Sequence, residues 1–173
     1  MGILGKKFYE RNTKKVAKEL LGKILVHGRK RGKIVETEAY LGKNDPGSKG
    51  CRNVKSAPKV LLGSAGHAFV YFTYGNHWML NAVTEKEGKA GAVLIRAIEP
   101  IANVKNTSGP GRLTKAFRIT GKHSGKDLTR GRLYIEDSKE RPKIVTTTRI
   151  GLSKGSDLKL RYYIRENKFI SRK

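Results

Sequence analysis

Residues 67–84 read HAFVYFTYGNHWMLNAVT and contain two runs of β-forming residues on either side of one turn. The dipeptide Gly75-Asn76 supplies the positive φ values that a tight hairpin requires. The stretch is also unusually aromatic, and Tyr74 lies where the chain turns. The pattern therefore predicts a β-hairpin with aromatic side chains at its tip.

The elements around this hairpin are predicted from apolar periodicity and turn residues. In chain order they are a helix over 13–21 that ends at Gly22, a strand over 23–27, a turn over 28–32, a strand over 33–41, a loop over 42–66, a strand over 91–99 stopped by Pro100, a helix over 112–119 with Leu113, Ala116 and Phe117 inward, and strands over 132–136, 144–150 and 160–165. Short connections favour antiparallel pairing, and the mixture predicts an α+β fold.

The composition points to a folded, strongly basic protein. The chain has 173 residues and a formal net charge of +24, from 38 Lys and Arg against 14 Asp and Glu. This length fits one domain, and 37% hydrophobic residues supply a core, which argues against a disordered basic tail. Excess positive charge requires an anionic partner, and nucleic acid is the leading candidate. A ribosomal or other RNA-scaffolding role is the non-catalytic form of this interpretation, and an anionic membrane surface ranks behind both.

Other classes of protein are disfavoured by what the sequence lacks. Cys51 is its one cysteine, and the four histidines have no metal-ligand spacing, so we expect no disulfide framework, metal site or cofactor. No apolar run is long enough for a signal peptide or a membrane span. We therefore expect an intracellular protein, in the cytoplasm and nucleoid of a prokaryote or the nucleus of a eukaryote.

The segment 36–40 is the first candidate for chemistry. On a strand, Glu36, Glu38 and Tyr40 project from one face, because side chains alternate with a period of two. One carboxylate could act as general base on water, with the aromatic ring as a pocket wall. The alternative is a solvated polar face whose carboxylates are neutralised by nearby lysines.

Arg96 is the second candidate, because it interrupts the apolar strand 92–98. A buried arginine needs an acidic or carbonyl partner, and Glu36 and Glu38 are the natural ones. The guanidinium would then hold a carboxylate and its water, or it would form a purely structural salt bridge.

The remaining candidates concern nucleic-acid contacts. An exposed Tyr74 could stack on bases or wedge between them, unless it folds back on the hairpin. Basic residues of the loop would contact phosphates, or the loop is merely solvated; these are Lys49, Arg52, Lys55 and Lys59. The turn at 108–112, which contains Arg112, could present backbone amides to a phosphate.

Three long motifs, at 34–42, 69–81 and 92–100, resemble the alkyladenine (3-methyladenine) DNA glycosylase family in sequence and order. Shorter similarities at 109–114 and 149–151 extend the resemblance over 23–165, after the basic helix of 1–22. The resemblance implies one compact domain over 1–173, with a curved antiparallel sheet, short flanking helices and a protruding hairpin. It also implies a metal-free, monofunctional hydrolase that excises alkylated or otherwise damaged purines from double-stranded DNA. We separately expect a monomer with no membrane partner.

The resemblance implies a role for each matching residue. Glu38 would activate the water, which Arg96 and the backbone carbonyl of Ile150 would hold. Tyr74 would intercalate where the target nucleotide has left the duplex. The flipped base would lie in a pocket formed by Tyr40, Tyr71 and Asn81. Apart from the resemblance, the positive charge of Arg52, Lys55, Lys59 and Arg112 predicts that they contact the DNA backbone.

The chain departs from the family in the loop after Asp45. Lys49 stands where the family carries a histidine, and 55–58 replace a Thr-Pro-Arg-Asn run. The backbone N–H could still reach the base, and a lysine near the sugar also raises Schiff-base lyase chemistry as a minor alternative. The main alternative from another class is a non-catalytic nucleic-acid-binding protein such as a ribosomal component.

Overall fold

The computed structural model describes residues 2–48, 58–73 and 75–173. Its helices are α1 (Lys6–Tyr9), α2 (Thr13–Glu19), α3 (Lys59–Leu62) and α4 (Pro110–Phe117), with 3₁₀ turns at Gly42–Asn44 and Gly121–His123. Its strands are β1 (Ile24–His27), β2 (Lys30–Tyr40), β3 (Ala68–Thr73), β4 (His77–Val83), β5 (Ala92–Ala102), β6 (Leu133–Glu136), β7 (Ile144–Thr147) and β8 (Arg161–Ile164).

These strands form an eight-stranded sheet in which the described pairings are antiparallel. Its main path runs β3-β4-β5-β2-β1-β6, and β8 joins β2 to β7. The long strand β2 is central to the sheet. Strand β5 pairs with one edge of β2; on the other edge, β1 pairs with residues 30–33 and β8 pairs with residues 36–38. The α+β fold with a curved, mostly antiparallel sheet is confirmed.

The predicted aromatic hairpin is formed by β3 and β4. Their register runs from Ala68 opposite Ala82 to Thr73 opposite His77, and Gly75 adopts a φ of +70° in the turn. Only 81–83 of β4 pair with β5, so the rest of the hairpin extends beyond that neighbour.

Helix α2 covers one face of the sheet. Its start is capped by the Asn12 side chain, which accepts hydrogen bonds from the backbone of Lys14 and Lys15. Val16 and Ala17 are fully buried, and the Ala17 carbonyl accepts a 2.8 Å hydrogen bond from the hydroxyl of Thr37 on β2. The helix is thereby fixed over the centre of β2.

The prediction that the strand over 91–99 stops at Pro100 is wrong, because β5 continues to Ala102. Pro100 lies opposite Gly32 of β2, next to a shift in register between Arg31 and Gly32. Strand β4 pairs with β5 only as far as Leu94. The end of β5 that contains Pro100 is therefore not paired with β4 and lies at an edge of the sheet. A proline is tolerated at an edge or a bulge, where its missing N–H breaks no ladder.

Other boundaries differ from prediction by a few residues. Helix α4 begins at Pro110 because the fixed φ of proline suits the first turn of a helix, and it ends at Phe117, which is followed by Arg118 with a φ of +57°. Leu113 and Phe117 are buried as predicted, whereas Ala116 is half-buried. Strand β2 begins inside the predicted turn, α2 ends at Glu19, and β7 ends at Thr147. The predicted loop over 42–66 contains a 3₁₀ turn and α3 in its described parts.

Candidate active site

Strand β2 carries the acidic pair into the interior. Glu36 and Glu38 are both fully buried. The Tyr40 hydroxyl donates a 2.9 Å hydrogen bond to Oε2 of Glu38, as expected for side chains on one strand face. Strands β5 and β8 flank this part of β2.

Arg96 of β5 bridges the two carboxylates. Its Nε donates to Oε1 of Glu36 at 3.1 Å, and its Nη1 lies 3.3 Å from Oε1 of Glu38. The side chain is almost completely buried. The structure therefore brings Arg96 to the acidic partners that its position in an apolar strand requires.

Glu38 has a third donor from a distant loop. The backbone N–H of Ile150 donates to its Oε1 at 2.9 Å. The family resemblance implies a role for the carbonyl of Ile150, whereas this contact is made by its N–H. Together with Arg96 and Tyr40, this N–H fixes the carboxylate and stabilises its negative charge.

Glu36 has partners that sequence analysis missed. Nη1 of Arg161, on β8, donates to its Oε1 at 2.9 Å, and Ser171 donates to it from both backbone and side chain. No local pattern marks Arg161 or Ser171, because both approach Glu36 only through the pairing of β8 with β2 and the path of the chain after β8.

A cavity of about 180 Å³ lies beside this cluster. Three of its lining residues are those expected to form the base pocket, Tyr40, Tyr71 and Asn81. Nδ2 of Asn81 donates to the Phe69 carbonyl at 3.2 Å, which fixes that side chain in the wall. The remaining described lining residues are Gly47, Ser48, Leu61, Phe69, Thr73, Ala90, Gly91, Ala92 and Leu152. The volume is below the roughly 300–1,000 Å³ of pockets for larger ligands, so the cavity suits one flat ring.

Tyr40 is held in this wall by a buried ion pair. The guanidinium of Arg149 lies 4.7 Å from the Tyr40 ring centroid and makes two 2.6 Å hydrogen bonds to Asp45. Asp45 also accepts 3.0 Å hydrogen bonds from the backbone of Leu41 and Gly47. The pair thus connects the loops that follow β2 and β7 and packs a cation on one face of Tyr40.

Two pKa shifts follow from these contacts. Burial and the nearby Glu38 carboxylate raise the pKa of Tyr40, so its hydroxyl stays protonated and donates. Burial of Asp45 opposes its ionisation, but the hydrogen bonds from Arg149 and the backbone outweigh it and lower the pKa of Asp45. Asp45 is therefore ionised at neutral pH.

A groove of about 370 Å³ lies near the acidic pair. Arg96 and Ile150, two partners of Glu38, line it together with His77, Met79, Ser108, Gly109, Pro110, Gly111, Arg112, Ser171 and Arg172. Arg112 is exposed at the start of α4, and Lys59 is exposed at the start of α3. Arg112 thus stands beside the groove that leads to the acidic pair, as a phosphate contact would require.

Several predicted contact residues lie outside the described residues, namely Lys49, Arg52, Lys55 and Tyr74. Within 2–48, 58–73 and 75–173, no three His, Cys, Asp or Glu side chains are grouped so as to hold a metal ion. In the same part of the chain, no helix has the length and apolar character needed to cross a membrane.

Chemistry on a nucleic-acid base requires a pocket for one flat ring, because the base must first leave its stack. A fixed carboxylate beside such a cavity is a candidate general base for hydrolysis of a molecule bound there. Sequence comparison identifies the family: the methylpurine-DNA glycosylase model matches residues 7–168, and the chain belongs to that family of hydrolases.

Similar proteins from bacteria and archaea support this family assignment. A Legionella pneumophila (strain Lens) protein, named as a candidate 3-methyladenine DNA glycosylase, is 45% identical over 99% of this chain and 100% of its own length. A Methanoculleus marisnigri protein of the same name is 41% identical over 96% and 97% of the two chains. The corresponding values for a Carboxydothermus hydrogenoformans protein of that name are 42%, 99% and 100%.

Proposed function

We infer that this protein excises damaged purines from duplex DNA and leaves an abasic site. The observation that carries the inference is the position of Glu38. Its partner Tyr40 lines the ring-sized cavity, while its partners Arg96 and Ile150 line the groove. A base in the cavity and a water on the groove side would therefore each lie beside partners of the carboxylate, with the sugar carbon C1′ between the base and the water.

The reaction needs one water and no cofactor. The flipped nucleotide places its base between Tyr40 and Tyr71, with Asn81 in the wall. Glu38 removes a proton from the water, whose oxygen forms a bond to C1′ of the sugar. The bond from C1′ to the purine nitrogen breaks, and its electron pair leaves with the base. The carboxylate also stabilises the positive charge that develops on the sugar, as carboxylates do in glycoside hydrolysis.

Alkylated purines fit this site better than neutral ones. A purine alkylated on a ring nitrogen carries positive charge, stacks well between tyrosines and leaves as a neutral base. Hypoxanthine or ethenoadenine would require protonation on leaving. Lys49, in place of the family histidine, is expected to change the substrate range through its side chain.

Recognition of DNA is assigned to the basic surface and the hairpin. Arg112 and Lys59, with Arg52 and Lys55, would neutralise phosphates, and Tyr74 would fill the space that the flipped nucleotide vacates. The net charge of +24 provides the electrostatic attraction. We propose that the chain works as a monomer of one domain where the DNA is, in the nucleoid or the nucleus. Family membership disfavours the non-catalytic alternative.

The test is base release from duplexes that contain 3-methyladenine-type alkylation, hypoxanthine or ethenoadenine. We expect wild type to release alkylated purine and to give strand breaks only after alkali. Glu38→Gln should abolish release while binding to damaged DNA persists.

The matched control is Glu136→Gln. Glu136 lies on β6, two strands from β2, and accepts hydrogen bonds from Arg31. This variant loses a partly buried carboxylate elsewhere in the sheet and should excise normally. Release by Glu38→Gln at the wild-type rate would refute the role of Glu38, and no release by wild type from any duplex would refute the function.

A further inference from the structure

The acidic pair includes one carboxylate that takes no direct part in the proposed reaction. Glu36 is fully buried and receives hydrogen bonds from Arg96 and Arg161. Two further donors come from Ser171, whose backbone N–H and hydroxyl lie 2.6 and 2.9 Å from the Glu36 oxygens. A carboxylate with this many hydrogen-bond donors has a fixed position, and it fixes the side chains that donate to it.

The segment that carries Ser171 is itself fixed to the sheet. Nη1 of Arg161 donates to the Arg172 carbonyl at 2.8 Å. At the other end of the segment, the Asn167 side chain donates to Glu99 of β5 at 2.8 Å. Ser171 is therefore held on both sides, between a strand on either edge of β2.

The contacts of Ser171 bear on the orientation of Arg96. Nε of Arg96 donates to Glu36, and its Nη2 donates to the Ser171 hydroxyl at 3.4 Å. A guanidinium is planar and rigid, so fixing Nε and Nη2 also fixes Nη1. Nη1 is the nitrogen that faces Glu38, at 3.3 Å.

Building on the proposed function, we propose that Ser171 is a positioning residue of the catalytic centre. It orients Arg96, directly through its hydroxyl and indirectly through Glu36, so that Nη1 faces Glu38 and the water site. The family model ends at residue 168, so its match does not include this residue. Ser171 also lines the groove beside Arg96.

The experiment compares Ser171→Ala, Ser171→Thr and wild type in single-turnover excision of an alkylated purine. Ser171→Ala removes the hydroxyl contacts to Glu36 and Arg96 but keeps the backbone N–H. We expect the excision rate to fall about tenfold, because the two lost hydrogen bonds act on the reaction only through the orientation of Arg96. The dissociation constant for lesion-containing duplex should stay within about twofold, because no DNA contact is removed. Ser171→Thr keeps a hydroxyl and should restore most of the rate.

Ser138→Ala is the matched structural control. The Ser138 hydroxyl is buried and donates to the Gly22 carbonyl at 2.7 Å, and the Gly22 backbone N–H donates to Ile34 of β2 at 2.9 Å. Its loss should lower the melting temperature without changing the excision rate. Thermal unfolding of all variants identifies any rate change that comes from unfolded protein.

The outcomes separate this proposal from the proposed function. If wild type excises, Glu38→Gln does not and Ser171→Ala keeps the wild-type rate, the positioning role is refuted while the function stands. An equal loss of rate in Ser138→Ala would also refute it. Absence of excision by wild type would refute both.

Discussion

Replacing Arg149 with methionine should strongly destabilise the protein, because Asp45 would remain buried without its cation. Both side chains of the ion pair are fully buried, and two 2.6 Å hydrogen bonds join them. Removing one partner of such a pair costs about 3–5 kcal/mol, since the remaining charge is neither solvated nor paired. Methionine keeps the length of the apolar stem, so the lost packing adds little.

The double variant Asp45→Asn/Arg149→Met separates this cost from other effects. It removes both charges, so it should be more stable than Arg149→Met alone by about 1–3 kcal/mol, the cost of leaving a buried polar group without its partner. Urea denaturation at neutral pH measures the free energy of unfolding of all variants. A loss below about 1 kcal/mol in Arg149→Met, or a double variant no more stable than the single one, would refute the argument.

The same pair predicts a dependence on pH. The pKa of Asp45 lies below its ordinary value of 3.8, because hydrogen bonds from Arg149 and the backbone outweigh burial. A carboxyl group with a lowered pKa contributes stability that is present above its unfolded pKa and is lost as the pH falls through the folded value. The difference between wild type and Arg149→Met should therefore shrink below pH 3.8. A difference that stays constant down to acid denaturation would contradict this.

Three further outcomes are expected. Tyr40→Phe keeps the ring but loses the 2.9 Å hydrogen bond to Glu38, so single-turnover excision should fall about tenfold, and an unchanged rate would contradict the contact. Tyr74→Ala should weaken binding to lesion-containing duplex by about 1–3 kcal/mol, measured by fluorescence anisotropy; equal affinity would exclude the wedge role. In a plot of log affinity for DNA against log salt concentration, the affinity should fall steeply. Arg112→Ala should reduce the magnitude of this slope by about one. An unchanged slope would mean that Arg112 contacts no phosphate.

Much of the fold could be predicted because it follows from local rules. Alternation along β2 predicts that Glu38 and Tyr40 share a face, and their hydrogen bond agrees. The turn at Gly75 predicts the β3–β4 hairpin. The continuation of β5 through Pro100 could not be predicted, because a proline stops a strand only where its missing N–H faces a neighbour, and the sequence does not give the neighbours.

The hydrogen-bond and ion-pair partners within the candidate site were harder to predict from the sequence. Arg96 could be assigned to the acidic pair because it is the one charge in the apolar run 92–98. With 38 Lys and Arg in the chain, nothing local distinguishes Arg161 or Arg149 as buried partners of a carboxylate. Both are reached only when the strands and loops of the second half of the chain close against β2.

The sequence by itself determined the elements, the antiparallel sheet, the basic charge and the residues that resemble a glycosylase site. Each depends on neighbours within a few positions, on composition, or on motifs that are continuous in the chain. Only the tertiary structure decided that Ser171 reaches Glu36 across 135 positions and that the N–H of Ile150 reaches Glu38 across 112. The physical reason is that such contacts depend on the order and register of the strands, which local preferences leave open.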